Sequence, residues 1–402
     1  MEPMLRFKAD DGSEFPAWEE KMFWDVFANL TNNTLSRECL NAESGQARNI
    51  HYGDVLVKYG AVVDVQRDGA PFVNPDVECK RWDCLKDGDV VIADTAEDET
   101  VGKAVEISNA GSDIVYSGLH TIACRPKEEF APGYLGNYIN SMSYHDQLRP
   151  YMQGIKVTSV SKTNIGLTHL LVPSLPEQRK IADLLSAVDD VIAAQEAEVA
   201  AWEKRKKGVI QKLFSQEVRF KADDGSDFPD WEEKTLGDIC MYERQRSEGA
   251  NFVGTENMLK DFGGVTFDNS NADGSGTLYH PGDTLMSNIR PYLKKAWLAD
   301  RKGTCSTDVL VFHPTSVEPG YLYWLIASDA FVRYVMSAAK GSKMPRGDKK
   351  HIMEMPLLLP NKDEQRKIDD CLSSLNDVIV KAKNELAKWQ ELKKGLLQQM
   401  FV

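Results

Sequence analysis

Apolar positions in two stretches of the chain recur with alternating steps of four and three. From Ile368 they run Leu372, Leu375, Ile379, Ala382, Leu386 and Trp389, the heptad seam of helices that pack along their length. An earlier stretch repeats the register at Ile181, Leu185, Val188, Ile192, Val199 and Trp202, with only Gln195 polar in the stripe. Each pattern predicts a helix of about 39 residues, about 58 Å long at 1.5 Å per residue. A stripe of that length needs a partner, and the matching helix is the obvious one, running antiparallel if a pseudo-twofold axis relates the halves. Elsewhere the pattern shortens. Asp54–Lys58, Ala61–Val65, Gly88–Ala93, Val101–Ile107 and Leu119–Cys124 read as strands, as do Gly282–Met286, Ala296–Leu298 and Asp308–Phe312. Helices are expected at Gly133–Met142 and Gly320–Met336, with Tyr138 and Trp324 on their apolar faces.

The chain is written twice. Arg6–Lys21 recurs at Arg219–Lys234 with 14 of 16 positions identical. A second correspondence, offset by 187 residues, runs from Gly133 (Gly320) to Phe214 (Phe401). Each half therefore has a constant opening, a divergent middle and a constant closing helix, a plan for presenting the same surfaces twice while recognising two different things. The expected fold is α+β: two β-rich domains joined by two long helices. The expected boundaries are 1–175 for the first domain, 176–216 for the central helix, 217–361 for the second domain and 362–402 for the C-terminal helix.

The 402 residues carry a net charge of −13, which by itself argues against nucleic acid, but the basic residues are not evenly spread. Within the stretch Lys340–Lys350, Lys340, Lys343, Arg346, Lys349 and Lys350 face only Asp348. The corresponding stretch of the first half holds Arg149, Lys156 and Lys162, with no acid between Asp146 and Glu177. Cations at matching places in divergent domains predict phosphate-contacting loops. No apolar run can cross a membrane. The seven scattered cysteines lack any Cys-x-x-Cys spacing, which suits a reducing, cytoplasmic setting without disulfides or structural zinc. No Pro-Pro pair of an amino-methyltransferase motif and no Gly-x4-Gly-Lys-Ser/Thr phosphate loop occur. Pro75, Asp76, Glu78 and Lys80 lie too close together for a nuclease site of the Pro-Asp…Glu-x-Lys type, and no histidine cluster suggests a metal. The chain reads as non-catalytic, binding neither metal nor cofactor itself.

Pro176-Glu177-Gln178-Arg179-Lys180-Ile181 and Asp363-Glu364-Gln365-Arg366-Lys367-Ile368 open the two long helices. With Phe252–Met258, Gly88-Asp89-Val90-Val91, Gly282-Asp283-Thr284-Leu285 and Gly341–Arg346, they give a pattern that resembles the specificity subunits of type I restriction–modification systems over essentially the whole chain. The resemblance implies two target recognition domains, each reading one part of a split double-stranded DNA sequence, joined by an antiparallel coiled coil. It also implies docking of two modification methyltransferase subunits, which bring S-adenosylmethionine, and then of restriction subunits that translocate and cut DNA, in a host-defence role. A coiled-coil scaffold or adaptor without direct DNA recognition is the alternative reading.

Overall fold

The computed structural model describes residues 3–79, 82–154, 157–267 and 274–401. It is mixed α/β, and two helices dominate it: Leu175–Phe214 and Lys362–Met400. None of its helices is long and apolar enough to cross a membrane. The chain divides into two compact units, residues 1–196 with 385–402, and residues 197–384. The division falls inside both long helices, so each contributes residues to both units.

In the first unit a five-stranded sheet runs in the order Phe27–Leu30, Thr121–Pro126, Val90–Ala93, Ala104–Ser108, Val62–Asp64. All its pairings are antiparallel except the last. A four-stranded sheet of Val115–Ser117, Arg48–Ile50, Phe72–Val73 and Leu40–Asn41 accompanies it. The second unit keeps the first four strands of the larger sheet as Cys240–Tyr242, Val309–Pro314, Thr284–Ser287 and Ala296–Leu298. Its smaller sheet has three strands, Arg246–Gly249, Gly274–Tyr279 and Gly303–Cys305. The shared frame is closed in the same way twice: Glu19–Met22 pairs with His169–Val172, and Glu232–Thr235 with Pro356–Leu359.

Two expectations fail locally. The run Asp54–Lys58 is not a strand but part of the helix Tyr52–Val57. His51 caps it by accepting from the Gly53 N–H, and Val55 is buried while Val57 lies on the solvent side, a helical rather than alternating distribution. The helices expected at Gly133–Met142 and Gly320–Met336 are each two helices, Tyr134–Ile139 with Met142–Leu148 and Pro319–Ile326 with Asp329–Ser337. Ser141 and Ser328, at matching positions, restart the backbone as side-chain N-caps, accepting from the Tyr144 and Phe331 N–H groups. Tyr138 and Trp324 are buried in the cores.

The seam residues occupy two environments. Ile181 and Leu185 belong to the core of the first unit, and Ile368 and Leu372 to that of the second. The stripe continues as buried Val188, Val199, Ile379 and Ala382 and half-buried Ile192, Trp202, Leu375, Leu386 and Trp389. Within the first unit Asp189 pairs with Lys393 at 2.6 Å, and Glu196 accepts from Gln390 at 3.4 Å. Within the second, Glu203 pairs with Lys383 at 2.6 Å and Lys206 donates to Asn376 at 3.0 Å. In each unit one helix ascends as the other descends.

The helix ends are also matched. Phe401 sits edge-on to Tyr134 and Tyr138 in the first unit, as Phe214 packs on Tyr321 in the second. The Leu5 N–H donates to the Gln399 carbonyl at 3.0 Å, and the Val218 N–H to the Lys212 carbonyl at 3.2 Å.

Candidate nucleic-acid interface

Hydrogen bonds between backbone groups gather the basic loop of the second unit. Lys340 and Arg346 face each other in an antiparallel bridge with both N–H···O distances 2.9 Å. The five residues between them turn back on themselves, starting at Gly341 with φ 99°, a value that favours glycine. Arg346 also bridges to Ile289, and the Arg290 N–H donates to the Pro345 carbonyl at 2.8 Å. Asp348 caps the short helix Lys349–Met353 by accepting from the Lys350 and His351 N–H groups. Lys340 donates to the same carboxylate at 2.8 Å. The lysine and, after it, the two amides hold Asp348 down at about 2, so it stays ionised.

The five cations thereby sort into kinds. Lys340 is tied to Asp348, Arg346 to Asp308 at 3.2 Å, and Lys350 to Glu354 at 3.7 Å. Lys343 and Lys349 are exposed, with no ion-pair partner among the described residues. Lys349 and Lys350 border a groove of about 710 Å³, with Tyr242, Arg244 and Leu310 on its other sides.

The first unit repeats the frame with different contents. Gln153 and Ser159 form the bridge at the positions matching Lys340 and Arg346, and Ser159 also pairs with Thr95. Lys156 lies outside the described residues. Lys162 opens the short helix Lys162–Ile165, whose cap is the neutral Ser161 in place of Asp348. It is exposed and has no ion-pair partner among the described residues. Arg149 lies against Glu99 at 3.7 Å and Asp146 at 3.4 Å, at the edge of a separate groove of about 440 Å³.

The Glu-Gln motifs that open the long helices serve the frame. Glu177 is fully buried; it accepts from Arg6 at 3.0 and 2.9 Å and from the Trp18 indole at 3.2 Å. Glu364 takes Arg219 at 3.1 and 2.8 Å and Trp231 at 2.9 Å. Gln178 bonds Ala131 and Pro173 as Gln365 bonds Glu318 and Pro360. The Gly-Asp motifs are structural too: buried Asp89 takes Arg125 at 2.9 and 2.7 Å, and buried Asp283 takes His313 at 2.7 Å.

Comparison with known proteins adds to this geometry. The family profile described as "Type I restriction modification DNA specificity domain" matches residues 229–388. The type I restriction enzyme MjaVIII specificity subunit of Methanocaldococcus jannaschii is 21% identical over 283 residues, covering 62% of this chain and 65% of the relative. A second protein of that organism, provisionally named the MjaX specificity subunit, is 25% identical over 244 residues, 58% of this chain and 55% of the relative. The crystal structure of the type I restriction–modification S subunit from M. genitalium superposes with a TM-score of 0.59 at 13% identity, over 100% of this chain and 99% of the other. The matched profile, both relatives and the superposed structure are all of type I specificity subunits or their DNA specificity domain. The matches to the two archaeal specificity subunits span between half and two thirds of those proteins' lengths; the structural likeness shows the fold.

Among the described residues, no three His, Cys, Asp or Glu side chains are grouped to hold a metal. The structure also puts beside the basic loop residues that reading the sequence passed over. The turn Arg290–Lys294 joins two strands of the larger sheet; its Arg290, exposed like Tyr292, is bonded through its backbone to Pro345, and the preceding Ile289 bridges to Arg346. The corresponding turn of the first unit, Ala96–Glu99, is acidic, so a search for cations at matching positions could not find it.

Proposed function

We propose that the chain is the DNA-sequence specificity subunit of a type I restriction–modification complex, each unit reading one part of a bipartite duplex target. The observation that carries this is a frame built twice with the same opening, closing and capping contacts, whose loops at equivalent places differ in charge. Equal frames suit two copies of one partner; unequal loops suit two different half-sites. On this reading Arg149, Lys156, Lys162, Lys340, Lys343, Arg346, Lys349 and Lys350 meet DNA mainly at phosphates. Lys343, Lys349 and Lys162 do so at least cost, since no ion pair has to be exchanged. The two long helices form an antiparallel coiled coil that sets the spacer, and with the opening segments they dock two methyltransferase subunits. Those subunits hold S-adenosylmethionine and carry out the methylation, and restriction subunits join them in the cytoplasm; this chain itself is non-catalytic.

The test is to express the chain with its modification subunit in a host without other DNA methylation and sequence the methylome. A two-part methylated motif with a fixed gap is the expected result, with no methyl transfer by the purified chain alone. Sequence-independent methylation, or none by a complex that assembles, would leave a scaffold role instead.

A further inference from the structure

We propose that Arg290 is the base-reading guanidinium of the second unit, taking the paired acceptors of a guanine, with Tyr292 and Met344 as apolar contacts beside it. This rests on the DNA-recognition reading above and adds the residue that reads.

Four observations converge. First, the turn is held open in a costly conformation. Arg290 (φ 50°) and Lys294 (φ 55°) are both left-handed and neither is glycine, a backbone state that persists only where the surroundings enforce it and that gathers at functional sites. Second, the surroundings do enforce it. The Leu293 and Lys294 carbonyls accept from the Asp261 and Phe262 N–H groups at 3.1 and 2.6 Å, and Lys294 is tied to Asp329 at 2.8 Å. The base of the turn is fixed while its tip faces outward.

Third, the tip carries groups that lack internal employment. Arg290 is exposed and makes no side-chain hydrogen bond or ion pair among the described residues, and Tyr292 is 48% exposed. The bridge from Ile289 to Arg346 sets Met344, 46% exposed, on the adjoining loop next to Lys343. A free arginine fork beside an aromatic and a thioether, flanked by an unpaired lysine, has the composition of a groove-reading tip rather than of a solvated loop. Arg346 is the weaker reader of the two, because Asp308 already occupies its guanidinium. Fourth, the equivalent turn of the first unit has Ala96, Glu97, Asp98 and Glu99. The two units therefore carry opposite charge at this turn, as two tips that tell apart different half-sites would.

The experiment selects bound sequences from a randomised duplex library with the full chain, co-purified with its modification subunit, at one fixed salt concentration. Wild type, Arg290→Ala, Arg290→Lys and Lys343→Ala are compared. Wild type should enrich a bipartite motif. Arg290→Ala and Arg290→Lys should both lose the preference for one guanine in one half-site, discrimination there falling about ten- to a hundredfold, with the other half-site unchanged. Lys343→Ala should weaken all sequences together. An unchanged motif in Arg290→Ala, or a loss of affinity equal for all sequences, would overturn the assignment and leave the DNA-recognition reading standing. A wild-type complex that enriches nothing would overturn both. Arg290→Lys keeps the charge and the exposed position, so a motif lost in both variants with unchanged thermal unfolding is a loss of reading and not of folding.

Discussion

Glu106 shows how a side chain can be out of place by composition and at home by geometry. It is buried, yet its carboxyl accepts from the Gly133 N–H at 2.6 Å and the Gly136 N–H at 2.9 Å. Gly136 is needed for this approach, since a Cβ there would collide with the Ala61 carbonyl oxygen. Burial outweighs these amides and that of Leu135, and pushes the carboxyl from 4.5 up to about 7. The folded chain thus favours the protonated form. Its contribution to stability is fully present below pH 4.5 and is lost as pH rises through about 7, on the order of 3 kcal/mol in all. Calorimetric unfolding across that window should show the first unit weakening as pH rises. Glu106→Gln, which cannot ionise, should flatten the slope; an unchanged slope would assign it to another group.

At the level of elements, each unit depends on a pin between the opening segment and the start of a long helix. Removing the carboxylate in Glu177→Ala strands Arg6 and the Trp18 indole in a half-buried place, at a cost of about 3–5 kcal/mol for breaking such a pair. The lower end is expected, because Arg6 keeps the Phe15 and Pro16 carbonyls. Glu364→Ala should cost a similar amount: Arg219 keeps the Phe228 and Pro229 carbonyls, while the Trp231 indole loses its acceptor. Thermal denaturation of the two variants checks both; a negligible shift in either would mean the pin does not hold that unit. Period four-three and alternating runs made the long helices and most strands legible beforehand. Asp54–Lys58 reads as a strand because three apolar residues between two charged ones carry too little periodicity to separate helix from strand. The Ser141 and Ser328 breaks were hidden because apolar character continues across them. The role of Glu177 was hidden because only the fold brings Arg6 within 3.0 Å of it. Of the candidate interface, the Lys340–Lys350 cluster was visible as a charge run, whereas Arg290 lies fifty positions earlier and joins it only through the Ile289–Arg346 bridge.

For the molecule as a whole, the boundary between units falls between Glu196 and Ala197 in one helix and between Asn384 and Glu385 in the other. Inserting one heptad at both places preserves the seam register and disturbs no contact internal to either unit. On the proposed reading it lengthens the rod by about 10 Å, or about three base pairs of duplex. The methylome motif should keep both half-sites and gain that much spacer; an active variant with the original spacer would show that the helices do not set the distance. The matched helix ends have a consequence of another kind. Leu5 meets Gln399 as Val218 meets Lys212, although the second pair is six residues apart and the first lies at opposite ends of the chain. The joint therefore does not depend on the peptide that crosses it. Cutting the peptide between Phe214 and Val218 would thus leave in the second unit the kind of joint that Leu5 and Gln399 make in the first, held by the helix end and the packing of Phe214 on Tyr321 rather than by chain continuity.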